Sequence, residues 1–65
     1  ACTITSILKI GARGDQVECL QGLLKLTQDG IFGPQTHQAV IKFQLANGLV
    51  GDGIIGPLTR AVLNK

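Results

Sequence analysis

Apolar side chains recur along this chain at helical spacing in three stretches and at a looser, alternating spacing in one. Val17, Leu20, Leu23 and Leu24 lie three or four residues apart, which predicts a helix over 15–26 with one buried face. Thr36, Ala39, Val40 and Phe43 predict a second over 34–47, with Gly48 after Asn47 as its stop and Leu49 placed to pack back on its end. Leu58, Ala61 and Val62 predict a shorter third helix over 57–64. The stretch 1–10 differs: Thr3, Ile4, Thr5 and Ser6 alternate, and Ile7 and Leu8 are apolar. It reads as an extended tail laid across the helices, with Gly11 and Gly14 bracketing the turn that follows. The pattern predicts an all-α fold, a compact three-helix domain with an extended N-terminal tail. Its expected core is Leu8, Val17, Leu20, Leu24, Ile31, Val40, Phe43, Leu49, Ile54 and Val62.

The polar positions between the helices contain a repeat. Residues 29–36 read D-G-I-F-G-P-Q-T and residues 52–59 read D-G-I-I-G-P-L-T, six of eight identical at an offset of 23. Two copies are too few for a solenoid, so they imply two related loop-to-helix units inside one domain. Asp29 and Asp52 suit Asx turns, and the glycine after each tolerates positive φ. Gly33 and Gly56 then fall at helix N-caps, with Pro34 and Pro57 at the first helical position, where a missing N–H costs nothing. Thr36 and Thr59 fall in the first turn, where a hydroxyl can satisfy a spare backbone group. Upstream, Asp15 with Glu18 three residues on predicts a capping-box variant, and Gly22 marks a close helix contact.

Size and composition narrow the functional classes. Sixty-five residues allow one small domain, 1–65, and a domain of that size buries only about 60% of its unfolded surface, so a covalent staple is useful. A bridge between Cys2 and Cys19 would pin the tail to the first helix and contribute about 3 kcal/mol; the alternative is two free thiols in a reducing compartment. The chain begins at Ala1, which is expected if a leader has been removed or if the module is cut from a longer protein. No apolar run approaches the roughly 18 residues of a membrane span. The net charge of +2 is scattered over Lys9, Arg13, Lys25, Lys42, Arg60 and Lys65, which argues against a nucleic-acid surface.

Catalytic chemistry has little to work with. Asp15 reads as a cap and Asp29 and Asp52 as turns, so Glu18 stands alone and no paired carboxylates remain. Ser6 is the one serine, and it lies in the tail. His37 is the one histidine, without a second at ligand spacing, and is expected on the surface of the second helix. No metal or cofactor is expected.

Taken together, L-K-I-G-A-R-G-D-Q-V-E-C-L-Q at 8–21, D-G-I-F-G-P-Q-T-H-Q-A-V-I-K-F-Q at 29–44 and N-G-L-V-G-D-G-I-I-G-P-L-T at 47–59 resemble the peptidoglycan-binding-like domain family. The resemblance runs from Leu8 to about Leu63, and the Gly-x-Arg-Gly-x-x-Val-x-x-Leu-Gln opening precedes both units in order. Two features depart from the family pattern. Only Leu26, Thr27 and Gln28 link the first helix to Asp29, and Arg60 stands where many relatives carry an aromatic.

The resemblance implies a non-catalytic module that targets an attached hydrolase, such as an amidase or peptidase, to the cell wall, outside the cell or in its envelope, as a monomer. The alternative is a spacer or prodomain-like interaction module without wall affinity. Stem peptides are rich in carboxylates, and a helix N-terminus offers them backbone N–H groups, here at Gln35 and Thr36 after Gly33, and at Leu58 and Thr59. With no Trp or Tyr to stack on a sugar, the stem peptide is the expected partner rather than the glycan. The expected groove lies between the second helix and the second Asp-Gly loop. Gln44 and Asn47 line one side of it, and Asp52, Gly53 and Thr59 line the other. Phe32 and Ile55, equivalent in the two units, either plug the core or wall the site.

Overall fold

A computed structural model of the protein describes residues 2–65, folded as α1 (Asp15–Leu23), α2 (Pro34–Ala46) and α3 (Pro57–Leu63). The repeat explains two of the three helix starts. Gly33 and Gly56 are N-caps in extended conformation, each followed by proline at the first helical position. Both Asx turns form: Ile31 N donates to Asp29 Oδ1 at 3.0 Å and Ile54 N to Asp52 Oδ1 at 2.9 Å.

The start of α1 differs from the sequence expectation. Gly14, at φ 115°, is the N-cap, and no side chain caps the helix, so Asp15 and Glu18 do not form a capping box. Gly14 N donates to Gly30 O at 3.0 Å while Gly14 O accepts from Glu18 N at 3.1 Å, and only glycine takes that backbone angle without strain. Asp15 and Glu18 still lie in the first turn, where negative charge opposes the helix dipole favourably.

α1 also ends earlier than 26. Leu26 N reaches back to Gln21 O at 2.8 Å and Lys25 N to Gly22 O at 3.1 Å, with Lys25 in the left-handed region at φ 61°. The end of α2 repeats this geometry: Leu49 N donates to Gln44 O at 2.8 Å, Gly48 N to Leu45 O at 3.3 Å, and Gly48 has φ 72°. Gly22 does not mark a helix contact; it faces the side chain of Gln28.

The tail is extended and held on both sides. Asn64 brackets Ile4, accepting from its N–H at 2.9 Å and donating to its carbonyl at 2.8 Å. Gln16 does the same for Thr5 N and Thr3 O at 2.7 and 3.1 Å. Cys2 and Cys19 are joined by a disulfide, which pins the tail to α1 and contributes about 3 kcal/mol by restricting the unfolded chain. Ile4 and Leu8 are thereby pressed into the core, while Ile7 is exposed.

The core is Ile4, Leu8, Val17, Cys19, Leu20, Phe32, Val40 and Ile55, with Leu24 packed against it. Phe43, Leu49 and Val62 are half-buried. Ile31 and Ile54, expected inside, are 48% and 40% exposed, and Phe32 and Ile55 take their places. The reason is one of phase. After the Asx turn each loop runs extended, where successive side chains point to opposite sides and a one-residue slip inverts the pattern. Phe32 pairs through its backbone with Gly11 and Ala12, and Ile55 N donates to Leu8 O at 2.8 Å; both side chains therefore face the centre.

Candidate functional site

Each unit is organised around a buried glutamine one helix upstream of its loop. Gln21 of α1 donates through Nε2 to Asp29 Oδ1 at 2.8 Å, Ile31 O at 3.0 Å and Thr36 Oγ1 at 3.1 Å. Its Oε1 accepts from Gly30 N at 2.9 Å. Gln44 of α2 repeats the set with Asp52 Oδ1, Ile54 O, Thr59 Oγ1 and Gly53 N, at 3.0, 2.9, 3.2 and 3.0 Å. A side-chain amide suits this place because it offers two N–H donors and a carbonyl acceptor at once. Both glutamines are almost wholly buried, and every bond inside such a network is strengthened by its dry surroundings.

The electrostatics follow. The Asx bond from Ile31 and the amide of Gln21 favour the ionised form of Asp29 and hold its carboxyl below the usual carboxylate value. Ile54 and Gln44 do the same for Asp52.

This network takes up several of the residues expected to line a groove between α2 and the second loop, while Asn47 and Asp52 remain exposed. Gln44, Gly53 and Thr59 are buried and bonded to one another, and Asp52 is committed to Gln44 and Ile54. Asn47 Nδ2 donates to its own helix at Phe43 O, 2.8 Å away. Phe32 and Ile55 plug the core. α3 is only seven residues long, and Arg60 folds back so that Nη1 donates to Ile55 O at 3.2 Å.

An open recess lies on the first unit, with a volume of about 860 Å³. Gln21, Asp29, Ile31 and Thr36 of the bonded network line it. Lys25, Leu26 and Thr27, just past α1, form one side. The N-terminal end of α2 with Gly33, Pro34 and Gln35, then Gln38, Ala39 and Lys42 along the helix, form the other. Of the expected contact residues, Gly33, Gln35 and Thr36 meet here. His37 N donates to Gly33 O at 2.9 Å as the first turn of α2 closes, which leaves the N–H groups of Gln35 and Thr36 outside the helical ladder.

Sequence reasoning missed Gln21, Lys25, Gln38 and Lys42. The signal for Gln21 is present in the chain: the offset of 23 that relates the two loops also superposes Gln21 on Gln44, Val17 on Val40 and Leu26 on Leu49.

His37 is not a plain surface residue. It is half-buried with its imidazole against Gly53, where a methyl group would collide with the ring, and Nδ1 is enclosed without a hydrogen-bond partner among the described residues. Among the described residues no group of three His, Cys, Asp or Glu side chains is placed to hold a metal ion, and no helix is long and apolar enough to cross a membrane.

Comparison with known proteins agrees with this architecture. The family described as "Putative peptidoglycan binding domain" matches residues 13–63. The chain is 42% identical to the zinc D-Ala-D-Ala carboxypeptidase of Streptomyces albus G over 65 residues, 88% of this chain and 26% of the enzyme. It superposes on the crystal structure of a Burkholderia AP3 phage endolysin with TM-score 0.86 and 43% identity, covering 89% of this chain and 24% of the endolysin. The SleB N-terminal domain superposes with TM-score 0.88 and 34% identity, covering 95% of this chain and 93% of that one. The chain thus spans about a quarter of the length of the carboxypeptidase and of the endolysin, but nearly all of the SleB domain. Three helices, a duplicated Asp-Gly loop and a match over most of its length make this chain a member of the peptidoglycan-binding domain family.

Proposed function

We propose that this chain is a non-catalytic, monomeric module that holds an attached hydrolase against peptidoglycan, and that the stem peptide lies in the recess on the first unit. The observation that carries the reading is the recess itself, an open site of mixed polar and apolar lining, with Lys25, Gln35, Gln38 and Lys42 beside Leu26, Ile31 and Pro34. The chain spans about a quarter of a D-Ala-D-Ala carboxypeptidase and of a phage endolysin, which supports a tethered role beside a catalytic domain. Tethering raises the effective concentration of the enzyme at the wall, so modest affinity at one site suffices.

A peptide fits this surface better than a glycan. Sugar rings bind on flat aromatic faces, and this chain has no Trp or Tyr, with Phe32 buried in the core. The recess offers amide groups and cations instead, at Gln35, Gln38, Lys25 and Lys42. The Cys2–Cys19 disulfide supports secretion to the cell envelope or beyond, since such bonds persist in oxidising surroundings.

Sedimentation with purified peptidoglycan tests the reading. The chain is expected to pellet with the wall polymer at low and moderate salt, and soluble stem peptide is expected to release it where glycan oligosaccharide does not. A chain that stays in the supernatant overturns the function, and release by glycan alone overturns the choice of partner.

A further inference from the structure

Lys25 is the one non-glycine residue with positive φ among the described residues, at 61°. The equivalent position in the second unit is Gly48, at φ 72°, so the same backbone turn is made there by the residue that suits it. A side chain with a Cβ resists this conformation, and residues held so tend to cluster where a binding or catalytic surface needs them. Lys25 lies on the rim of the recess, and its side chain is exposed.

Lys42 lines the same recess from α2 and is also exposed. The one acid in the recess, Asp29, has Oδ1 occupied by Gln21 and Ile31 N, at 2.8 and 3.0 Å. Two exposed cations thus line the recess against one carboxylate, whose Oδ1 is engaged by its own loop and by Gln21. The N-terminal end of α2 opens into the same space and adds positive potential from its backbone.

We propose that Lys25 and Lys42 make the recess selective for a stem peptide with free carboxylates over the same peptide with those carboxylates amidated. The inference rests on the reading of the recess as the stem-peptide site and deepens it by assigning what is recognised. An ammonium group gains a charge-assisted bond from a carboxylate that a neutral amide cannot match. Because both lysines are in contact with water, the preference is screened by salt.

The test compares one synthetic stem peptide in two forms, every carboxylate free or every carboxylate amidated, titrated into the 65-residue chain and followed by amide NMR shifts. The free-acid form is expected to bind about tenfold tighter at low salt, the ratio that corresponds to one charge-assisted bond. It is expected to move the amides of Gln35 and Thr36. In the double variant Lys25→Gln/Lys42→Gln, which removes both charges, keeps a polar group at each position and changes only exposed side chains, the two forms are expected to bind alike. Equal affinity of the two forms for the native chain overturns the carboxylate inference and leaves the stem-peptide reading standing. Binding of neither form overturns both. A preference that survives in the double variant shows that the selectivity lies elsewhere and overturns the assignment to these lysines.

Discussion

The two units of the repeat share an interior and a backbone course and differ in the side chains they show to solvent. Gln21 and Gln44 make the same four kinds of hydrogen bond to the same residue types. Outside that network, Thr27, Gln35 and Gln38 of the first unit correspond to Val50, Leu58 and Ala61 of the second at the offset of 23. The first unit's surface is a recess of mixed lining beside the thirteen-residue α2, with Thr27, Gln35 and Gln38 among its polar groups; at the matching positions the second unit shows apolar side chains, with Val50 79% and Leu58 75% exposed, beside the seven-residue α3. The ties to the rest of the molecule differ too. The first loop makes three backbone hydrogen bonds to the turn before α1, through Gly11, Phe32 and Gly14, whereas Ile55 N to Leu8 O joins the second loop to the tail. Duplication has kept what folds each loop and has released what each loop shows to solvent.

The largest effect comes from breaking the shared interior. Replacing Gln21 or Gln44 by Ala strands a buried glycine N–H and leaves an isoleucine carbonyl and a threonine hydroxyl without the amide. Each substitution is expected to cost about 3 kcal/mol, a large share of the roughly 3–10 kcal/mol available to a domain of this size. The units part in how the damage spreads. Gln21→Ala should lower protection from hydrogen exchange across the molecule, because its loop is tied into the turn before α1. Gln44→Ala should lower it first over residues 50–56. Thermal unfolding and exchange of the two variants check this, and a loss below about 1 kcal/mol in either would mean that water replaces the amide.

The same contrast explains what the sequence disclosed. The Asx turns, the Gly-Pro helix starts and all three helices were legible because each rests on short-range rules about φ, missing donors and helical period. Phe32 and Ile55 were harder to place. Which of two adjacent apolar residues faces inward depends on the pairing of Phe32 with Ala12 and of Ile55 with Leu8, far apart in the chain. Gln44 was expected to line a groove because it reads as an exposed polar residue near a helix end, and only the fold shows it turned inward. Lys25 carried no local mark, since a lysine two residues past a helix is ordinary until its φ is known.

A smaller effect isolates the helix ends. Gly48→Ala places a Cβ at φ 72° with no atom within 4 Å of it, so its cost is conformational alone, about 1–2 kcal/mol. Lys25→Gly makes the opposite change at φ 61° and is expected to stabilise the fold by less than about 1 kcal/mol, because glycine also loosens the unfolded chain. Denaturant melts of the pair read the asymmetry directly. A Lys25→Gly variant that is clearly less stable would mean that the lysine makes contacts which outweigh its strain.

The carboxylates of the two turns test whether the interiors are equal in solution. Asp29 and Asp52 are both depressed by the Asx backbone bond first and the glutamine amide second. A carboxyl whose folded value lies below its unfolded value, about 3.9, stabilises the fold fully above that pH and loses the contribution as pH falls through the folded value. Stability is therefore expected to be level from neutral pH down to about pH 5 and to decline below about pH 4. Asp29→Asn and Asp52→Asn keep an acceptor for the turn, so each should flatten part of that acid slope by a similar amount. Unequal slopes would show that the second turn, with fewer backbone ties, is already loosened in acid.

The smallest effect should come from the exteriors, and its smallness is informative. Val50→Thr and Leu58→Gln give the second surface a character closer to that of the first, at side chains that are 79% and 75% exposed. Neither touches the Gln44 network, so each is expected to change stability by no more than about 0.5 kcal/mol. Peptidoglycan sedimentation should also be unchanged, because the recess lies on the other unit. The matching change in the first unit, Gln35→Leu with Gln38→Ala, should be as mild for stability yet weaken sedimentation. If the second-unit changes weaken binding instead, the wall polymer lies across the apolar surface and the two exteriors have exchanged the roles assigned to them.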